Sequence, residues 1–130
     1  MTSEFMTIRE MCDSFDVTPR TLRFYEMKEL LFPVREGSRR LFTRRDRARL
    51  TLILRGKRFG FSLESIRQLL DLYDRSGSNE EQLSRTYDLA QDRLAQMQAQ
   101  RHELDLAIAD LHQQAQWLAD RLSALRRAAE

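Results

Sequence analysis

Apolar residues recur every three or four positions through most of the chain, in short runs first and in one long run last. Ile8, Met11, Cys12 and Phe15 have the spacing of one helix face. Thr7 precedes them as an N-cap, Glu10 completes a capping box three residues on, and Met6 and Met11 take the staple positions. A second helix starts at Thr18, with Pro19 at the first helical position, where a missing N–H costs nothing, and with Val17 and Leu22 as its staple. Only Phe15-Asp16-Val17 separates the two, so residues 7–28 read as a helix-turn-helix. Strand formers then flank Gly37-Ser38, which predicts a β-hairpin standing as a wing between Phe32 and Phe42. Thr43 caps a third helix with Ala48, Leu50, Ile53 and Leu54 on its buried side, and Gly56 through Phe61 breaks it. Ser62 caps a fourth helix carrying Leu63, Ile66, Leu69, Leu70 and Tyr73.

The long run begins at Leu83. Steps of four and three residues visit Tyr87, Ala90, Leu94, Met97, Arg101, Leu104, Ile108, Leu111, Ala115, Leu118, Leu122 and Leu125. Twelve of these thirteen positions are apolar over six heptads, which argues for a coiled coil roughly 65 Å long. A helix of that length cannot bury its stripe on a small domain, and the economical partner is a second copy of the chain. Arg101 interrupts the stripe near its midpoint. In an antiparallel pair crossing near Leu104 it comes close to Glu103 or Asp105 of the other chain and sets the register; alternatively it snorkels out of the seam. The organisation expected is a winged helix-turn-helix head over 6–75, a linker over 76–79 and a dimerisation coiled coil over 80–127. The fold class is mainly α, a winged helix-turn-helix with a small β-hairpin followed by a long coiled-coil helix.

Charge sharpens this division. The chain of 130 residues carries a net charge of +2, but residues 1–62 hold 14 Lys and Arg against 8 Asp and Glu, and residues 63–130 hold 8 against 12. The first part is therefore +6 and the second −4. Ten basic residues and two acids lie between Arg35 and Arg58. An asymmetry of this size points to a polyanion, most economically nucleic acid; the bland alternative is a solvated basic face. No apolar stretch approaches the roughly 20 residues of a membrane span, and no secretory leader opens the chain, so the protein reads as soluble and cytoplasmic. One cysteine and two histidines, His102 and His112, give metal chemistry little to work with. No nucleophile–base set or phosphate loop suggests an enzyme, and no metal or cofactor is expected. Cys12 falls on an apolar helix face and reads as a buried structural thiol rather than a redox sensor.

Several segments together resemble the MerR family of bacterial transcription regulators. Thr7-Ile8-Arg9-Glu10 is similar to the family's opening, and Val17-Thr18-Pro19-Arg20-Thr21-Leu22-Arg23-Phe24-Tyr25-Glu26 to its recognition helix. Leu30 through Phe42 resembles the first wing, and Arg58-Phe59-Gly60-Phe61-Ser62-Leu63-Glu64-Ser65-Ile66 the second wing and the start of the fourth helix. The resemblance covers residues 6–74 densely. Asp16 and Glu29 stand where the family usually has glycine, and Phe42 where it usually has tyrosine. Aspartate tolerates a left-handed backbone, so the first turn is expected to survive.

The resemblance implies a homodimer, joined through an antiparallel coiled coil, on a pseudo-palindromic promoter in double-stranded DNA. Such dimers bend and untwist the spacer to realign the elements read by RNA polymerase. It further implies that Thr18, Arg20 and Thr21 face base edges, with Arg20 the candidate for specificity through guanine. Arg23 and Tyr25 are implied as phosphate contacts, although Tyr25 fits a core position equally well. Arg39 and Arg40 on the hairpin, and Lys57 and Arg58 on the second turn, would grip phosphates and add salt dependence without reading sequence. The general look fits the short, cysteine-poor members without an effector domain. The rival reading is a coiled-coil adaptor with a non-specific nucleic-acid-binding head.

Overall fold

The computed structural model describes residues 4–74 and 80–130; the linker expected at 76–79 lies outside them. The elements in chain order are β1 (Phe5–Thr7), α1 (Ile8–Phe15), α2 (Pro19–Met27), β2 (Val34–Glu36), β3 (Arg39–Thr43), α3 (Arg44–Arg58), α4 (Leu63–Asp74) and α5 (Glu80–Ala128). The chain falls into two compact units, Met1–Tyr87 and Asp88–Glu130.

Local chemistry sets nearly every boundary of the first unit. Thr7 accepts the Glu10 N–H at 3.2 Å while its own N–H donates to Glu10 Oε1 at 2.9 Å, the reciprocal pair expected from the sequence. The Thr7 N–H, and then the Thr7 hydroxyl, hold the Glu10 carboxyl below its ordinary pKa. Thr18 accepts the Thr21 N–H, and Pro19 opens α2. Thr43 caps α3 and shares a second capping box with Asp46, which the sequence reading did not single out. The Ser65 N–H donates to Ser62 Oγ at 3.1 Å at the start of α4.

Two helices end in the same way. At α2 the Glu29 N–H donates to the Glu26 carbonyl and the Leu30 N–H to the Tyr25 carbonyl, both at 2.9 Å. At α3 the Gly60 N–H donates to Lys57 and the Phe61 N–H to Gly56. Both are Schellman ends, which need one left-handed residue. Gly60 adopts φ +79° without penalty, whereas Glu29 adopts φ +59° at a cost of about 1 kcal/mol. Asp16 is left-handed too, at φ +54°, so the first turn keeps its shape with aspartate in glycine's place.

The hairpin turns at Gly37-Ser38 as expected, but it is not alone. β1 adds a third strand, giving an antiparallel sheet in the order β1-β3-β2, with Met6 opposite Phe42 and Val34 opposite Leu41. A three-residue strand that runs straight into a helix leaves no alternating pattern to read. The core beneath it is formed by Met11, Leu22, Tyr25, Leu30, Leu31, Phe42, Leu50, Ile53, Ile66 and Leu70. Each apolar side chain buried this way contributes about 1.5–3 kcal/mol.

Four expectations need correction. Tyr25, taken as a phosphate contact, is only 1% exposed and belongs to that core. Gly56 does not break α3 but sits inside it, where a Cβ would meet Ile66 Cγ1 at 2.7 Å; the glycine lets α4 pack closely. Ala48 is exposed, and the buried side of α3 is completed instead by Asp46 and Arg49. Tyr73 is exposed rather than packed.

Those two buried polar residues hold the segment that follows α2. The Phe32 N–H donates to Asp46 Oδ1 at 2.9 Å, and Arg49 Nε donates to the Leu30 carbonyl at 2.7 Å. Arg49 also pairs with Asp74, whose carboxylate Arg45 reaches at 3.1 Å. From α4, Arg67 Nη2 donates to the Lys28 carbonyl at 2.7 Å. The bonds to Phe32, Leu30 and Lys28 tie the exit of α2 to α3 and α4, and the Asp74 pairs tie α3 to α4.

The second unit is helix as far as Ala128, and the 49-residue α5 would measure about 74 Å. Along it Leu83, Tyr87, Leu94, Met97, Leu104, Ile108, Leu111, Leu118, Leu122 and Leu125 are all exposed in the single chain. No helix of the described residues is long and apolar enough to cross a membrane.

Candidate nucleic-acid interface

The exposed face of α2 carries Arg20, Arg23, Phe24 and Met27, spaced i, i+3, i+4 and i+7, while Leu22 and Tyr25 anchor the opposite face. Arg20 and Arg23 make no hydrogen bond or ion pair among the described residues, so both guanidinium groups are open to an anion. Thr18 and Thr21 are differently placed. Thr18 Oγ1 caps the helix and lies 2.9 Å from Thr21 Oγ1, so the two hydroxyls are committed to each other and to the helix start. Phe24 and Met27 were missed in the sequence, although counting on from Arg20 at helical spacing would have found them.

The wing contributes Arg39, exposed on β3, and Arg40, half-buried beside it. Arg40 is not simply an open cation: its Nε donates to Glu26 Oε1 of α2 at 2.6 Å. Arg35 on β2 donates through Nε to the other oxygen of the same carboxylate, Oε2, at 3.2 Å. Glu26 and Arg35 were not singled out from the sequence, because these pairs are 9 and 14 residues apart and no local spacing signals them. Lys57 and Arg58 are exposed in the last turn of α3, where their charge also complements the helix dipole.

The Tyr25 ring packs inside the head, and its hydroxyl is buried with no hydrogen-bond partner among the described residues. A phenol oxygen in that position costs about 1–3 kcal/mol of desolvation. Tyr25→Phe should therefore leave DNA affinity unchanged and keep or raise the thermal midpoint. A tenfold loss of affinity with an unchanged midpoint would return Tyr25 to the phosphate contacts.

Comparisons with known proteins agree with this geometry. Residues 6–73 match the family described as MerR HTH family regulatory protein, and residues 47–127 match the one described as MerR, DNA binding. The chain belongs to the MerR family. The HTH-type transcriptional regulator ZntR of Escherichia coli (strain K12) is 37% identical over 99 residues, covering 75% of this chain and 69% of that protein. The transcription regulator PbrR691 from Ralstonia metallidurans CH34, solved in complex with lead(II), superposes with a TM-score of 0.63 at 31% identity, over 83% of this chain and 85% of that one. HiNmlR, described as a MerR family regulator lacking the sensor domain and bound to promoter DNA, shares the fold at a TM-score of 0.60 and 23% identity, over 80% of this chain and 78% of that one.

As a MerR-family member this protein is a DNA-binding transcription regulator built on a winged helix-turn-helix, and α2 and the β2–β3 wing are the elements on which the family resemblance to a recognition helix and first wing falls. Among the described residues, no group of three or more His, Cys, Asp or Glu is gathered to hold a metal ion. Cys12 is half-buried on α1, and burial pushes its thiol pKa up, with Asp13 adding to the effect. It is therefore a thiol at neutral pH and a poor nucleophile.

Proposed function

We propose that the protein acts in the cytoplasm as a homodimer that sets two α2 helices into the half-sites of a pseudo-palindromic promoter. The exposed face of α2 carries this reading: Arg20 and Arg23 lie three residues apart, unpaired, on a short helix capped at its start and gripped at its exit. Arg20, in the first turn, is the base reader, and Arg23, Arg39, Lys57 and Arg58 hold phosphates. The same fold stands on promoter DNA in HiNmlR.

Dimerisation proceeds through α5 in an antiparallel coiled coil, supported by an apolar stripe that the single chain leaves exposed from Leu83 to Leu125. Two heads on one duplex deform the spacer, and that deformation costs several kcal/mol, offset by two recognition helices and their wings. The change in spacer geometry is what RNA polymerase reads.

Gel shifts with a salt titration on footprinted promoter sites test this. The wild-type protein should protect two symmetric half-sites, with affinity falling steeply as salt rises. Arg20→Ala should relax base preference at one position per half-site by about 1–3 kcal/mol. Equal loss on every sequence would remove Arg20 as the base reader, and affinity independent of salt would remove the phosphate grip.

A further inference from the structure

Arg35 and Arg40 are direct cross-strand partners in the wing, a placement in which two like charges repel. One carboxylate relieves it. Glu26, on the neighbouring α2, gives one oxygen to each arginine, and its side chain and that of Arg40 are both only 20% exposed.

The atoms involved matter more than the charges. Both arginines bind Glu26 through Nε alone. A guanidinium has five N–H donors, and using Nε leaves the four on Nη1 and Nη2. Among the described residues these Nη groups make no hydrogen bond. Glu26 therefore fixes the plane of each guanidinium from the Nε side and leaves the Nη1–Nη2 edge open to bind an oxyanion bidentately.

We propose that Glu26 is a positioning residue for DNA binding: it holds Arg35 and Arg40 by Nε so that their Nη edges meet two backbone phosphates. This rests on the reading of the wing as a phosphate-gripping element. It gives an acid on a DNA-binding face a role opposite to its charge. An unassisted carboxylate there weakens binding by repulsion, so its removal should tighten the complex. A carboxylate that orients two arginines should do the reverse.

The sign of the effect is the test. Fluorescence anisotropy with a promoter duplex would compare wild type, Glu26→Ala, the Arg35→Ala/Arg40→Ala double variant and the triple variant, at several salt concentrations. Glu26→Ala in the wild-type background should weaken binding about tenfold. It should also make the log affinity–log salt slope shallower by roughly two per head, since each lost phosphate contact removes about 0.9. In the double-variant background the same substitution should leave affinity unchanged or raise it, because nothing remains to be oriented. Glu26→Gln, which keeps the size and one acceptor oxygen, should lose less, and circular dichroism checks that each head is folded. Glu26→Ala binding as tightly as wild type, or weakening both backgrounds by the same factor, would overturn the proposal. A wild-type protein that does not bind DNA would instead overturn the reading beneath it.

Discussion

Leu104→Glu is expected to convert the protein to monomers and to lower its affinity for a two-half-site duplex by at least 100-fold. Leu104 is the midpoint of the stripe from Leu83 to Leu125 and is exposed in the single chain. In an antiparallel pair the midpoint meets its own copy, so one substitution sets two carboxylates against each other in a seam meant to exclude water. Taking each carboxylate out of water costs several kcal/mol, and the two facing charges repel. Without the seam each head binds its half-site independently, and the effective concentration that links them is lost, a factor of 10² to 10⁴. Light scattering after gel filtration should report the 15.5 kDa chain mass instead of twice that value. Anisotropy on one half-site should show little change. Gln98→Glu, on an exposed position outside the stripe, serves as the control. A Leu104→Glu protein that remains a dimer would refute the antiparallel crossing at this point.

Asp46→Ala is expected to have the largest effect on stability, a loss of about 3 kcal/mol or more. The carboxylate is 2% exposed and serves two backbone donors, the Phe32 N–H through Oδ1 and the Thr43 N–H through Oδ2. Alanine would orphan both, at about 1–3 kcal/mol each, and remove half of the α3 capping box. Domains of this size hold 5–15 kcal/mol in total, so much of the folded head's margin would go. The damage also falls on the segment joining α2 to the wing, so DNA affinity should drop even where the head stays folded. Urea denaturation followed by circular dichroism at 222 nm (an observable dominated by helix) gives the midpoint shift. Asp46→Asn keeps one acceptor and should lose less. A loss below about 1 kcal/mol for Asp46→Ala would mean that water replaces the carboxylate at both sites.

The start of each short helix was legible because it is written locally. Thr7, Thr18, Thr43 and Ser62 each accept an N–H three residues ahead, and a spacing of three is visible in any sequence. The hairpin turn at Gly37-Ser38 and the helical periodicity of α5 are local in the same sense. What escaped depends on contacts between distant residues. Tyr25 sits on the turn of α2 that faces Leu22 and the core, yet tyrosine suits a surface equally well, and composition could not choose. Gly56 looked like a break because only the approach of Ile66 explains a glycine within a helix. The bridge from Glu26 to Arg35 and Arg40 exists only once the wing has folded back beside α2. Arg40 therefore shows its charge in the sequence but not the carboxylate that holds its Nε.

Both strand-to-helix junctions of the head lack a spacer. β1 ends at Thr7 and α1 begins at Ile8, while β3 ends at Thr43 and α3 begins at Arg44. The two threonines lie at opposite ends of the same ladder, Thr7 across from Leu41 and Thr43 across from Phe5, and each is clamped by a capping box. The wing therefore has no compliant joint at its root. A force on its tip runs through β3 into α3 directly, and across the ladder through β1 into α1. A load on the wing is therefore carried on by the two helices rather than taken up in a hinge between sheet and helix.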